Sequence, residues 1–330
     1  MYRLSALIAT SLVACAAMVA SASAQRLTLS TWGSPKHYQV AEFVPLFEKL
    51  LTEKSGGKLK LKSFDGGEMV KQQFVATAIP QGTVDISLTT LDNWSGRITD
   101  VGILTTPLWN KSMTWTLDNL KPGKPVFDFF DAKLRKEGAV LIAMFDIGPP
   151  VVSANFEFNG PDSFKNKSIR AYSKGAAEVL SALGAAPTII GVGDVYSALQ
   201  RGTVQGAMGG LGGAVGLKHY EVTTDMLVPN GVMGTLIHAY VMNKERFDSL
   251  SPESRKALIE AASEARDHMQ SFAIKKFGSL VDEVRAKGDR VTVVEPNSKL
   301  WDEFAKRLQP VADAAKKTYS TEAQTVIAGN

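Results

Sequence analysis

The 330 residues are 45% hydrophobic and 21% charged, with 37 basic against 33 acidic side chains and a net charge of +4. That balance is globular and leaves room for one large or two medium domains. No basic tract exceeds two residues, so the chain carries no electrostatic footprint for nucleic acid.

Residues 1–24 hold one charge, Arg3, then an apolar run from Leu4 to Val19, then Ala22-Ser23-Ala24 before Gln25. This is the pattern of a secretory signal peptide cleaved after Ala24. The apolar run is short for a membrane span, and no second run of membrane length follows, so a soluble exported protein is expected. Leu12-Val13-Ala14-Cys15 also has the form of a lipoprotein cleavage box, which keeps lipidation at Cys15 as a second processing route. Cleavage after Ala24 removes the only cysteine and lowers the charge to +3, which excludes disulfides and thiol chemistry.

Leu27 to Trp32 opens as a strand, broken by Gly33-Ser34-Pro35. Val40, Phe43, Val44, Phe47, Leu50 and Leu51 then follow helical spacing, ended by Gly56-Gly57. Lys58 to Lys62 alternates with period two, a half-exposed strand; Phe74 to Ile79 predicts a short helix and Val84 to Thr89 a buried strand. This alternation implies α/β architecture with a parallel-rich sheet covered by helices. Val140 to Phe145 is a further strand, and Gly148-Pro149-Pro150 marks a crossover into a second lobe that begins at Val151. There a helix through Ala176, Val179, Leu180 and Leu183 stops at Gly184, and Asp194 is expected to cap the next helix, ended by Gly202. Ala239 to Met242 is a strand expected to return to the first lobe. Ser251-Pro252 starts a long helix to about Lys287, either a brace along both lobes or kinked near Phe272. Val291 to Val294 and a helix from Trp301 to Ala314 complete the pattern. The resulting division is 25–147 with 237–270 for lobe I, and 148–236 with 271–330 for lobe II.

Catalytic patterns are missing from the sequence. His37, His219, His238 and His268 fall in no metal-ligand spacing, and there is no Gly-x-Ser-x-Gly elbow. Gly209 to Gly216 is glycine-rich but lacks both the Lys-Ser/Thr ending and the Gly-x-Gly-x-x-Gly register of nucleotide loops. No cofactor is expected. Arg170 stands apart. At the end of Lys167-Ser168-Ile169 and before Ala171-Tyr172, it is either half of a surface salt bridge or a two-pronged donor facing a carboxylate.

Lys167-Ser168-Ile169-Arg170, then Ala182-Leu183-Gly184-Ala185-Ala186-Pro187, then Asp194 to Gly206 resemble the signature of the dicarboxylate-type solute-binding proteins of tripartite ATP-independent periplasmic (TRAP) transporters. Gly82-Thr83-Val84-Asp85-Ile86, Lys218 to Val222 and Met242 to Glu253 are similar too, so the resemblance spans nearly the whole mature chain. It implies a two-lobed periplasmic binding fold, a ligand cleft between the lobes and a long helix spanning both. It also implies capture of an organic acid, with Arg170 on its carboxylate, and delivery to a sodium-driven membrane permease.

Two departures bear on the ligand. Many relatives carry a second arginine about twenty residues earlier, where this chain has Gly148 to Val152. Where relatives often place an acid and a pocket residue after Val-Asp-Gly, this chain has Met208 and Gly209. A monocarboxylate with an apolar or aromatic body is therefore expected, with a C4-dicarboxylate as the alternative. Strand ends facing the cleft add Trp32, His37, Tyr38, Asn93, Trp94 and Tyr172 to Arg170, Met208 and Gly209 as candidate ligand contacts. His37 and His238 also fit hydrogen-bonded structural roles. The overall expectation is a monomeric periplasmic receptor, not an enzyme; a ligand-sensing module for a signalling partner is the other class.

Overall fold

The computed structural model describes residues 24–109 and 111–329; the signal peptide and the cleavage box at Cys15 lie outside the described residues. Strand β1 (Gln25–Ser30) leads through helices α1 (Tyr38–Ala41) and α2 (Val44–Lys54) to β2 (Leu59–Phe64), α3 (Val75–Ala78) and β3 (Ile86–Thr90). Helices α4 (Met113–Asn119) and α5 (Pro125–Lys136) precede β4 (Ala139–Asp146). The chain continues through β5 (Pro150–Ala154), β6 (Ser168–Ala171), α6 (Lys174–Ala182), β7 (Ala186–Ile189), α7 (Val195–Gln200), β8 (Gly206–Gly210), α8 (Leu211–Gly216) and β9 (Asp225–Val228). It ends with β10 (Ile237–Asn243), α9 (Lys244–Asp248), α10 (Pro252–Ala286), β11 (Arg290–Val293), α11 (Lys299–Lys316) and α12 (Thr321–Ala328).

Two sheets result, in the orders β2-β1-β3-β10-β4 and β11-β9-β5-β8-β6-β7. In the first, β1 runs parallel to β2 and β3, while β10 is antiparallel to β3 and β4. In the second, β6 is parallel to β7 and β8, and β5 is antiparallel to β8 and β9. Both faces of each sheet are covered. Tyr240 and Met242 of β10 enter one core cluster, while Ile237, Ala239 and Val241 enter another, because successive side chains leave a strand on opposite faces. β2 lies at an edge and keeps the expected alternation, with Leu59 and Leu61 buried and Lys60 and Lys62 exposed.

The chain crosses between the sheets from β4 to β5, from β9 to β10 and, along α10, from β10 to β11. Asp146, buried at the first crossing, accepts from Gly148 N (2.8 Å), from Thr235 Oγ1 on the second crossing (2.7 Å) and from Thr116 Oγ1 (3.2 Å). Gln270 of α10 accepts from the Asp146 amide at 3.3 Å. Asp146 thus joins the first two crossings through its carboxylate and the long helix through its backbone amide.

Helix α10 is continuous over 35 residues, with Ser251 at its cap and Pro252 in its first turn. That is about 52 Å of helix. It packs on α2 and β4 beside the first sheet and on α8 and β11 beside the second, so the brace holds and the helix is unbroken at Phe272.

The fold adds β8, β9 and α9 to the predicted elements and divides the helix through Val40 and Leu51 into α1 and α2. Asp194 sits at the start of α7, but its side chain makes no capping bond. Helices α4 and α5 were not anticipated. Helix α12 was not expected either, and Ala323, Val326 and Ile327 pack it into a core of the first sheet, whereas the reading put 271–330 wholly with lobe II. A short terminal helix joins whichever apolar face is open, and its own periodicity does not say which.

Candidate ligand-binding cavity

A cavity of about 470 Å³, counting the part open to solvent, lies between the two sheets. Trp32, Gln39, Thr90 and His238 line it from the first sheet and its connections; Arg170, Tyr172, Gly209 and His219 line it from the second. Ile147, Val192, Val195, Ala214 and Leu236 supply an apolar wall.

Arg170 is the third residue of β6, in register with Thr188 of β7 and Ala207 of β8. A central strand places it deep, at 5% exposure. Its Nε donates to the carbonyl of Ile190 (2.8 Å) and Nη1 to that of Met208 (2.7 Å). These two carbonyls orient the guanidinium but bring no charge. Among the described residues no carboxylate pairs with Arg170, and its hydrogen bonds are made by Nε and Nη1. Burial pushes its pKa down to about 10, so it remains a cation at neutral pH. An ion without a counter-ion at a buried position is costly, and an entering anion offsets that cost.

Arg266 is the contrast. Equally buried, it donates to the carbonyls of Met144, Leu117 and Thr116 and pairs with Asp267. Its partners are complete within the fold.

The histidines near the cavity are neutral. Burial pushes His238 and His219 down to about 3 and His37 to about 4. The nearby Arg170 charge contributes at His219, and a hydrogen bond to Ser34 partly offsets the shift at His37. Arg170 is therefore the one cation of the lining, and no acidic residue lines it, among the described residues.

The candidate residues separate into two groups. Arg170, Trp32, Tyr172 and Gly209 line the cavity together. His37, Tyr38, Asn93, Trp94 and Met208 do not. His37 stands edge-on to Trp32 with ring centres 5.3 Å apart, outside the lining. Tyr38 packs between Phe272 and Gly212, where an added Cβ would lie 1.9 Å from its ring. Trp94 turns fully into a core cluster with Leu91, Val101 and Leu104. Asn93 follows Asp92, whose carboxylate lies against Gly175 at the start of α6, where an added Cβ would come within 3.0 Å. The Met208 side chain enters the core with Val152 and Ile169, and only its carbonyl reaches Arg170.

Gln39, Thr90, His219 and His238 were missed as contacts. Thr90 ends β3, where the strand-end rule could have found it. His219 lies in the Lys218 to Val222 stretch of the resemblance, which implies no role for it. Gln39 carried no signal in sequence. The glycine-rich stretch is the end of β8 and the short α8; Gly209, Gly210 and Gly213 line the cavity, and Gly212 receives Tyr38.

The sequence profile of DctP, bacterial extracellular solute-binding protein family 7, matches residues 29–318. The C4-dicarboxylate-binding periplasmic protein DctP of Rhodobacter capsulatus is 25% identical over 288 residues, covering 84% of this chain and 85% of that one. The 2,3-diketo-L-gulonate-binding periplasmic protein YiaO of Escherichia coli is 25% identical over 247 residues, covering 74% of each. Among solved structures, DctP7 of Bordetella pertussis, an extracytoplasmic solute receptor binding pyroglutamic acid, superposes with a TM-score of 0.84 at 18% identity, covering 92% of this chain and 98% of that one.

Proposed function

The chain belongs to bacterial extracellular solute-binding protein family 7, as a TRAP-type, DctP-like solute-binding protein, and from that premise we propose that it captures a small monocarboxylate on Arg170. It would hand this acid, outside the cytoplasm, to a sodium-driven permease. The observation that carries the reading is a buried guanidinium with free donors, no carboxylate partner and a cavity in front of it. A planar fork of N–H donors suits a carboxylate, and at a buried position its charge is less screened than at the surface.

The lining supports one negative charge on the ligand. A second carboxylate would meet neutral histidines, and an ammonium would meet no acid. The apolar wall from Ile147 to Leu236 would pack the body of the ligand. The name of the Rhodobacter relative favours a C4-dicarboxylate instead, which is the second reading.

Transport would use lobe closure: the ligand touches both lobes, so its contacts select the closed arrangement. In this reading lobe I is 25–147 with 237–270 and the returning α12, and lobe II is the remainder. The family is one of solute-binding proteins, which supports binding without turnover as the role.

A thermal-shift screen of organic acids followed by calorimetry tests the reading, since a cleft ligand stabilises by mass action. Monocarboxylates are expected to raise the melting temperature, and Arg170→Ala to weaken the best of them at least a hundredfold. Stabilisation by C4-dicarboxylates alone would select the second reading.

A further inference from the structure

Arg170 leaves the opposite wall of the cavity without a role. Gln39 lines that wall from α1, fully buried. Its backbone carbonyl accepts from Tyr240, but neither the oxygen nor the nitrogen of its carboxamide has a partner among the described residues. On the same lining, the indole N–H of Trp32 and Nδ1 of His238 are also buried without such a partner.

A buried carboxamide needs one acceptor and one donor from whatever faces it. A hydrocarbon provides neither. A carboxylate provides only acceptors and brings a charge to a wall that holds no cation. An ammonium provides only donors and finds no acid in the lining. An uncharged group carrying both satisfies the carboxamide, and its oxygen can also accept from Trp32.

We propose that the ligand is a monocarboxylate bearing, at the end away from Arg170, an uncharged donor–acceptor group, an amide or a hydroxyl, received by Gln39 with Trp32 beside it. This refines the expected apolar or aromatic body and rests on the Arg170 reading. It also gives closure a chemical condition. Arg170 stands on β6 and Gln39 on α1, beside different sheets, so a ligand polar at both ends makes hydrogen bonds to both walls.

Calorimetry on the mature chain with matched probes tests it: 5-oxoproline against cyclopentanecarboxylate, and succinamate against succinate and pentanoate. The amide-bearing member of at least one set is expected to bind at least tenfold tighter than its partners. Gln39→Leu is expected to abolish that preference while leaving the apolar acid within threefold. Trp32→Phe, which removes the N–H and keeps an aromatic ring, should narrow it in the same direction. Equal binding of amide and apolar probes to the unaltered chain, or equal weakening of both by Gln39→Leu, overturns the inference and leaves Arg170 untouched. If Arg170→Ala changes no affinity, the anchor reading falls and this inference with it.

Discussion

The Cβ that glycine lacks at position 209 would lie 3.2 Å from Nη1 of Arg170. That nitrogen is already held at 2.7 Å from the carbonyl of Met208, one residue away, so the guanidinium has little freedom to retreat. The glycine therefore sets how closely the arginine can lie along β8.

Gly209→Ala is expected to displace the fork and weaken the acid that most raises the melting temperature by about tenfold, the scale of one impaired charge-assisted contact. The ligand-free chain should melt almost unchanged, because the glycine φ is an ordinary one. Calorimetry on the variant checks this; undiminished affinity would mean that the arginine tolerates the shift.

Gly212 makes a second close approach, across the lobes. An alanine there would place its methyl carbon 1.9 Å from Tyr38 Cε1. The ring is backed by Phe272 of α10, with ring centres 5.8 Å apart. Gly212→Ala should therefore hold the lobes apart, lowering affinity at least tenfold and enlarging the radius of gyration in saturating ligand. Small-angle scattering reads the second effect. Adding Tyr38→Ala should restore closure, and failure of that rescue would rule out the steric account.

Asp146 supplies a pH signature. Burial pushes it up to about 6, against the opposing hydrogen bonds from Thr235, Gly148 and Thr116. The folded state thus holds this proton more tightly than the unfolded chain, where the pKa is about 3.9. The resulting stability is complete below about pH 4 and is lost as pH rises through about 6. Asp146→Asn cannot titrate, so its stability relative to the parent should rise by up to about 3 kcal/mol between pH 4 and pH 7. Urea unfolding across that range measures the difference; a flat profile would remove Asp146 from the account.

The sequence carried most of the scaffold. Period-two and helical spacings located strands and helices on both sheets, and Ser251-Pro252 announced the long brace, because such patterns are local and survive in any tertiary setting. Of the cavity, Arg170, Trp32, Tyr172 and Gly209 were legible from motif and strand-end position. Trp94 and Met208 were not placed correctly, since an apolar side chain reads the same whether it lines a cavity or fills a core. At Met208 the alternation of β8 decided for the core.

Two arginines show where sequence stops. Arg170 and Arg266 are both buried, yet Arg266 has its carboxylate and carbonyl partners inside the fold while Arg170 lacks a counter-charge. That difference depends on which carbonyls and carboxylates the packed chain brings to each guanidinium, from residues up to 150 positions away. Gln39, Thr90, His219 and His238 met in one lining for the same reason. Local composition set the elements and the presence of a candidate anchor; long-range packing alone decided which polar groups were left for a ligand to satisfy.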